Sequence, residues 1–216
     1  MWRRCITGNR YVFHPISEDF RKRWRDQFYG EIVEKALKAN VPDQASYAAK
    51  KIVSPVERAN SLGKIADHYI EHADPIFARG TLEEAVKFAA GTDTGPRGIS
   101  SLITLIPIAQ KIDPNYVFTL SELTTRSINA IPALNIEDKP QTENYKKYVN
   151  AVTGISWNLM PVLNWLIKVN RNAATDLANR INKKEIKIAA DFVLAIDSLN
   201  QETDQKKPAE AKSPLK

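Results

Sequence analysis

The chain has 216 residues, 43% of them hydrophobic and 26% charged, and a formal net charge of +6. That is an ordinary globular composition, long enough for one domain or one short array with a sizeable core. The single cysteine, Cys5, excludes an intrachain disulfide, and no Cys/His zinc pattern is present. The positive charge favours acidic partners or surfaces without specifying nucleic acid.

The opening Met1-Trp2-Arg3-Arg4-Cys5-Ile6 is not followed by an apolar run of the kind that forms a secretory signal. The default expectation is therefore the cytoplasm, unless the chain is the C-terminal part of a longer product. Residues 1–16 show no clean period and read as an irregular arm. From Ser17, Phe20, Trp24, Phe28, Ile32 and Ala36 recur at four-residue spacing, which predicts one buried face of a helix. Pro42-Asp43 breaks it, and a shorter helix is expected from about Gln44 to Ile52.

Ser54-Pro55-Val56-Glu57 is a helix start: Ser as N-cap, Pro in the first turn, and Glu three residues on to complete a capping box. The helix it opens carries Ala59, Leu62, Ala66, Tyr69 and Ala73. Asp74-Pro75 ends it and starts a partner helix through Leu82, Ala85 and Phe88 to Gly91. The plan then repeats. Thr94-Gly95-Pro96-Arg97 opens a helix with Ile99, Leu102, Ile106, Ala109 and Ile112, in which Pro107 removes one hydrogen bond. Asp113-Pro114, 39 residues after the first Asp-Pro, opens a helix with Val117, Leu120, Thr124, Ile128 and Ile131. Asp is a strong N-cap and Pro suits the first helical position.

After a polar link over 132–142, a long helix is expected from Glu143, bent at Pro161, with Trp157, Pro161 and Trp165 on one side. Then come Ala174, Leu177, Ala178 and Ile181, and a last helix with Ile188, Ala189, Phe192, Ile196 and Leu199. Tyr148 to Ile167 is twenty residues without a charge, long enough to span a bilayer. Its Asn, Thr, Ser, Gly and Pro content favours a buried helix, so no membrane span is expected. Residues 201–216 are polar and read as a disordered tail. No stretch alternates with period two for long enough to predict a strand.

The expected fold is all-α: a right-handed stack of antiparallel helix pairs forming one helical-repeat domain over 17–200, with units of about 54–91, 94–131 and 143–200. The pattern resembles the tetratricopeptide/HEAT class of α-solenoids. It is more closely similar to uncharacterised bacterial helical-repeat proteins in which an Arg-x-x-x-Leu-x-x-Ile-Ala helix precedes an Asp-Pro helix. Arg58, Leu62, Ile65, Ala66, Asp74 and Pro75 carry the resemblance, and Arg97, Leu105, Ile108, Ala109, Asp113 and Pro114 repeat it with the Arg-to-Leu spacing altered. The Trp-x-x-Leu-Gly-x-x-Tyr pattern of tetratricopeptide repeats is absent. The resemblance covers mainly 54–131 and implies architecture but no activity.

Four features carry candidate chemistry. His68 and His72, four apart on one helix face, can chelate Zn²⁺ or Ni²⁺, or they simply favour the helix C-terminus. Arg21, Lys22, Arg23 and Arg25 lie among Phe20 and Trp24. Such a run neutralises phosphates while its aromatics stack on bases or enter a membrane interface. If Phe20 and Trp24 face the core, it is an ordinary solvated face. Lys183, Lys184 and Lys187, with Lys168, Arg171 and Arg180, form an anion-binding face only if neighbouring helices bring them together. Trp157 and Trp165 read first as core, with a ligand groove beside Pro161 as the alternative. The Gly91–Gly98 loop lacks the Lys-Ser/Thr of a P-loop, and no Ser/His/Asp arrangement stands out.

The expected function is a non-catalytic protein-interaction scaffold without a cofactor, with a protein partner and, as alternatives, an anion or nucleic-acid binder or a metal-binding hydrolase using His68 and His72.

Overall fold

A computed structural model describes residues 2–7, 10–15, 17–91, 95–133 and 140–206, with side chains described between residues 17 and 201. Parts of the 91–98 loop, of the 132–142 link and of the expected tail lie outside these residues. The fold is all-α from Glu18 onward. Ahead of the helices, β1 (Trp2–Thr7) and β2 (Arg10–Pro15) pair antiparallel, with Trp2 opposite Pro15 and Thr7 opposite Arg10. The expectation of an irregular arm is corrected here. Gly8-Asn9, between two runs containing Ile, Thr, Val, Tyr and Phe, is a hairpin signal that a search for long period-two alternation passes over.

The remaining contacts gather into two compact units, Met1–Gly91 and Thr92–Lys216. The first holds α1 (Glu18–Lys38), α2 (Pro42–Lys51), α3 (Pro55–Glu71) and α4 (Pro75–Ala89). α1 packs on α2 and α3, α2 on α3, and α3 on α4. Its core is built on Val33, Ala36, Ala45, Ala48, Ile52, Leu62, Ile65, Ala66 and Leu82. α1 stops in a left-handed Asn40: the Val41 N–H reaches the Ala36 carbonyl at 2.9 Å and the Asn40 N–H the Leu37 carbonyl at 3.0 Å. α3 ends the same way, with Ala73 left-handed, Asp74 N–H on the Tyr69 carbonyl at 2.8 Å and Ala73 N–H on Ile70 at 3.0 Å. Both are Schellman closures. Asp74 then caps α4, its Oδ1 accepting from the Phe77 N–H at 3.3 Å. Thus two residues end one helix and begin the next.

The second unit holds α5 (Gly95–Ile112), α6 (Tyr116–Asn129), α7 (Glu143–Val169), α8 (Arg171–Asn179) and α9 (Lys184–Lys206). α5 packs on α6 and α7, α6 on α8, α7 on α8 and α9, and α8 on α9. The expected tail therefore starts later than residue 201, because α9 continues to Lys206. The second Asp-Pro also differs from expectation. Asp113 Oδ1 accepts from the Asn115 N–H at 2.9 Å in a local turn, and α6 begins only at Tyr116, without a side-chain cap. Asn170 was not foreseen as a break. It ends α7 and caps α8, its Oδ1 accepting from the Ala173 N–H at 3.1 Å while its Nδ2 donates to Gln110 Oε1 at 3.2 Å. Among the described residues no helix is long and apolar enough to cross a membrane.

Candidate functional site

His68 lies in the last turn of α3 and His72 is its C-cap. Their ring centroids lie 4.0 Å apart with the planes tilted by 34°. His68 Nε2 sits 3.1 Å from Asn40 Oδ1, and His72 Nδ1 sits 2.8 Å from the His68 carbonyl oxygen. Both partners are acceptors, so each of these ring nitrogens donates. The pair ties the end of α3 to the left-handed Asn40 after α1. Among the described residues, no group of three or more His, Cys, Asp and Glu side chains stands together as a metal site.

The basic run of α1 is placed differently from the core stripe expected for Phe20, Trp24, Phe28, Ile32 and Ala36. Only Ala36 of that set is buried. Trp24 is 58% exposed and Phe28 56%, and the Phe20 and Trp24 ring centroids lie 6.5 Å apart at 47°. The buried side of α1 is instead Asp26, Val33 and Ala36. A charged residue could take the inner side because the backbone it meets needs acceptors. Asp26 Oδ1 accepts from the Val53 N–H at 2.8 Å and Oδ2 from the Ser54 N–H at 2.9 Å, at the start of α3. A carboxylate there satisfies orphan donors and suits the positive end of the helix. Ser54 Oγ accepts from Glu57 N–H at 3.4 Å as expected, but the Ser54 N–H, which a capping box gives to Glu57, goes to Asp26. Arg21, Arg23 and Arg25 stay exposed beside the aromatics. Lys22 pairs with Glu18 at 3.0 Å, and its hydrogen bond and charge hold the Glu18 carboxyl below its ordinary value.

The basic residues of the second unit are largely engaged locally. Arg171 pairs with Asp197, and Arg180 with Asp176 at 2.8 Å. Lys183 Nζ donates to the Ile131 carbonyl oxygen after α6 and lies over the Tyr148 ring. Lys187 donates to the Ala178 carbonyl at 3.0 Å and pairs with Asp191 at 2.9 Å. Lys184 and Lys168 are exposed. Lys183 and Lys187 thereby close the ends of α6 and α8. The 21–25 run and the 183–187 run belong to different units.

The Trp157–Pro161–Trp165 side of α7 is not core, contrary to the first reading. Trp157 is 72% exposed, Pro161 is exposed and Trp165 half-buried. The buried side carries Ile155, Leu159, Val162, Leu163, Leu166 and Ile167. α9 shows the same inversion. Its buried residues are Ile186, Ala190 and Val193, whereas Ile188 is 61% exposed, Phe192 56% and Leu199 63%, with Ile196 also outward. Four large apolar side chains therefore line the outer face of α9 at spacings of four, four and three, the spacing by which one helix offers a stripe to another.

Arg58 of the repeated motif, and Asn129 and Tyr148 outside it, have structural roles that the sequence does not announce. The Arg58 guanidinium lies 4.4 Å from the centre of the Phe88 ring, linking α3 to α4 through a cation–π contact. Asn129 donates to the Arg180 carbonyl at 2.9 Å and accepts from the Asn182 N–H at 2.8 Å, holding the end of α6 to the α8–α9 connection. Tyr148 on α7 has its phenol pushed above its ordinary value, by burial first and then by a hydrogen bond to, and the charge of, Glu185 on α9. No known protein family, no curated protein and no solved structure matches this chain.

Proposed function

We propose that the chain is a non-catalytic, helical-repeat binding module that docks a helical segment of a protein partner along the outer face of α9. The observation that carries this reading is the line Ile188, Phe192, Ile196 and Leu199, exposed on a helix whose other side already packs on α7 and α8. An outer face of an end helix that only met water would be polar. Contiguous exposed apolar surface marks interaction sites, and anchors at i, i+4, i+8 and i+11 suit a helix laid alongside. The packing of α5 on α7 and of α6 on α8 supports stacked pairs, in which a partner helix on α9 adds one more layer. Because the anchors are apolar, the affinity should resist salt.

The test is affinity capture from native extract with the unaltered chain and with the Phe192→Ser/Ile196→Ser variant. Both substitutions lie on the exposed face, so helical content and melting temperature should not change. A discrete protein held through a high-salt wash by the unaltered chain and lost from the variant supports the reading. A retained set that is identical for both chains, or is released by salt, contradicts it.

A further inference from the structure

The outer face of α1 carries a separate arrangement, in the other unit and independent of α9. Taken at about 100° per residue, Phe20, Trp24 and Phe28 form a line along the crest of the helix. Arg21 and Arg25 flank it on one side and Arg23 on the other. Trp24 and Phe28 are more than half exposed, Phe20 is half-buried beside Trp24, and all three arginines are exposed. The inner side is fixed by Val33, Ala36 and the doubly hydrogen-bonded Asp26, so the crest cannot rotate inward without breaking those contacts.

We propose that the first half of α1 is a docking face for the surface of an anionic phospholipid bilayer. Phe and Trp rings on the crest match the acyl–headgroup boundary, where an amphipathic helix buries its apolar side to a shallow depth. Arginines on the two flanks then stand at the level of the lipid phosphates, with their aliphatic stems running along the apolar layer. The line from Phe20 to Phe28 is about 12 Å long at the helical rise. Beyond it Glu31 occupies the crest, which confines insertion to the first half of the helix. A polynucleotide fits the geometry less well. The Phe20 and Trp24 planes, 47° apart, do not form a parallel platform on which successive bases could stack.

The experiment is co-sedimentation of the full chain with vesicles of phosphatidylcholine alone and of phosphatidylcholine with about one third phosphatidylserine. It is repeated with Trp24→Ser/Phe28→Ser and with Arg21→Gln/Arg23→Gln/Arg25→Gln, and a single-stranded RNA oligonucleotide serves as the competing anion. Binding should require phosphatidylserine. It should fall at least about tenfold in the aromatic variant and on the order of a hundredfold in the arginine variant, about fivefold per charge. Circular dichroism should show the same helix content in all three proteins. If the aromatic variant is unfolded, the arginine variant alone decides. Absence of binding to the anionic vesicles, equal binding to both vesicle types, full binding by the arginine variant, or displacement from vesicles by the RNA would overturn the proposal.

Discussion

α5 and α9 carry equally regular apolar stripes, yet they use them in opposite ways. In α5, Ile99, Leu102, Ile106 and Ala109 are buried, and so are Ile103 and Leu105 beside them, because both α6 and α7 pack on the helix. In α9, the regular stripe of Ile188, Phe192, Ile196 and Leu199 faces outward, and the sparser set Ile186, Ala190 and Val193 faces α7 and α8. Periodicity shows which residues share a face. Whether the chain itself covers that face depends on neighbours that no local window contains.

The sharpest way to break this contrast is a matched truncation. Ile106→Ala should cost about 3 kcal/mol by removing a fully buried side chain, whereas Ile196→Ala should cost under about 1 kcal/mol. Equal losses in chemical denaturation would show that the outer face of α9 is packed. α1 extends the comparison, since there a carboxylate points in and aromatics point out. Asp26→Ala should cost about 2 kcal/mol, because two backbone N–H groups at the start of α3 lose their acceptor. A loss no larger than that of a surface substitution would mean water replaces the carboxylate freely.

The two Asp-Pro corners allow a finer comparison. Asp74→Ala removes a helix cap and should lower stability by about 1 kcal/mol. Asp113→Ala removes a turn contact ahead of α6 rather than a helix cap and should cost about half of that or less. Urea titrations of the two variants, with the order reversed, would contradict the assignment of the caps. The smallest effect concerns the inner contact of α9. Because the folded Tyr148 phenol is raised above its ordinary value of 10.0, its contribution is fully present below that pH and is lost as pH rises through the folded value. Stability measured between neutral and strongly alkaline pH should therefore decline less steeply in Tyr148→Phe than in the unaltered chain.

Most of the helices were legible because their signals are local. Ser54-Pro55 and Asp74-Pro75 bring cap and first turn together within two residues, and the α3 and α5 stripes face cores on the expected side. The left-handed Ala73 was not legible, since nothing about alanine announces a residue that glycine would fill more easily. Nor was the break at Asn170, where one side chain both caps α8 and reaches Gln110 from α5. The inversion of α1 depends on Asp26 meeting backbone donors 27 and 28 residues away, a pairing that a helical wheel cannot show. The basic residues at 183–187 read as a charge cluster, but Lys183 and Lys187 donate to carbonyls after α6 and in the last turn of α8, and Lys184 is exposed. For the candidate sites, the sequence supplied the residues and their spacing, and tertiary packing decided which of them meet water.

The most direct measurement of the central claim is photo-cross-linking in cells from a benzophenone amino acid placed at Phe192, with the same probe at exposed Tyr47 in the first unit as reference. The account predicts a discrete cross-linked protein from position 192 that disappears when Ile188 and Ile196 are changed to serine, and no such product from position 47. No product from position 192, or the same products from both positions, would contradict it.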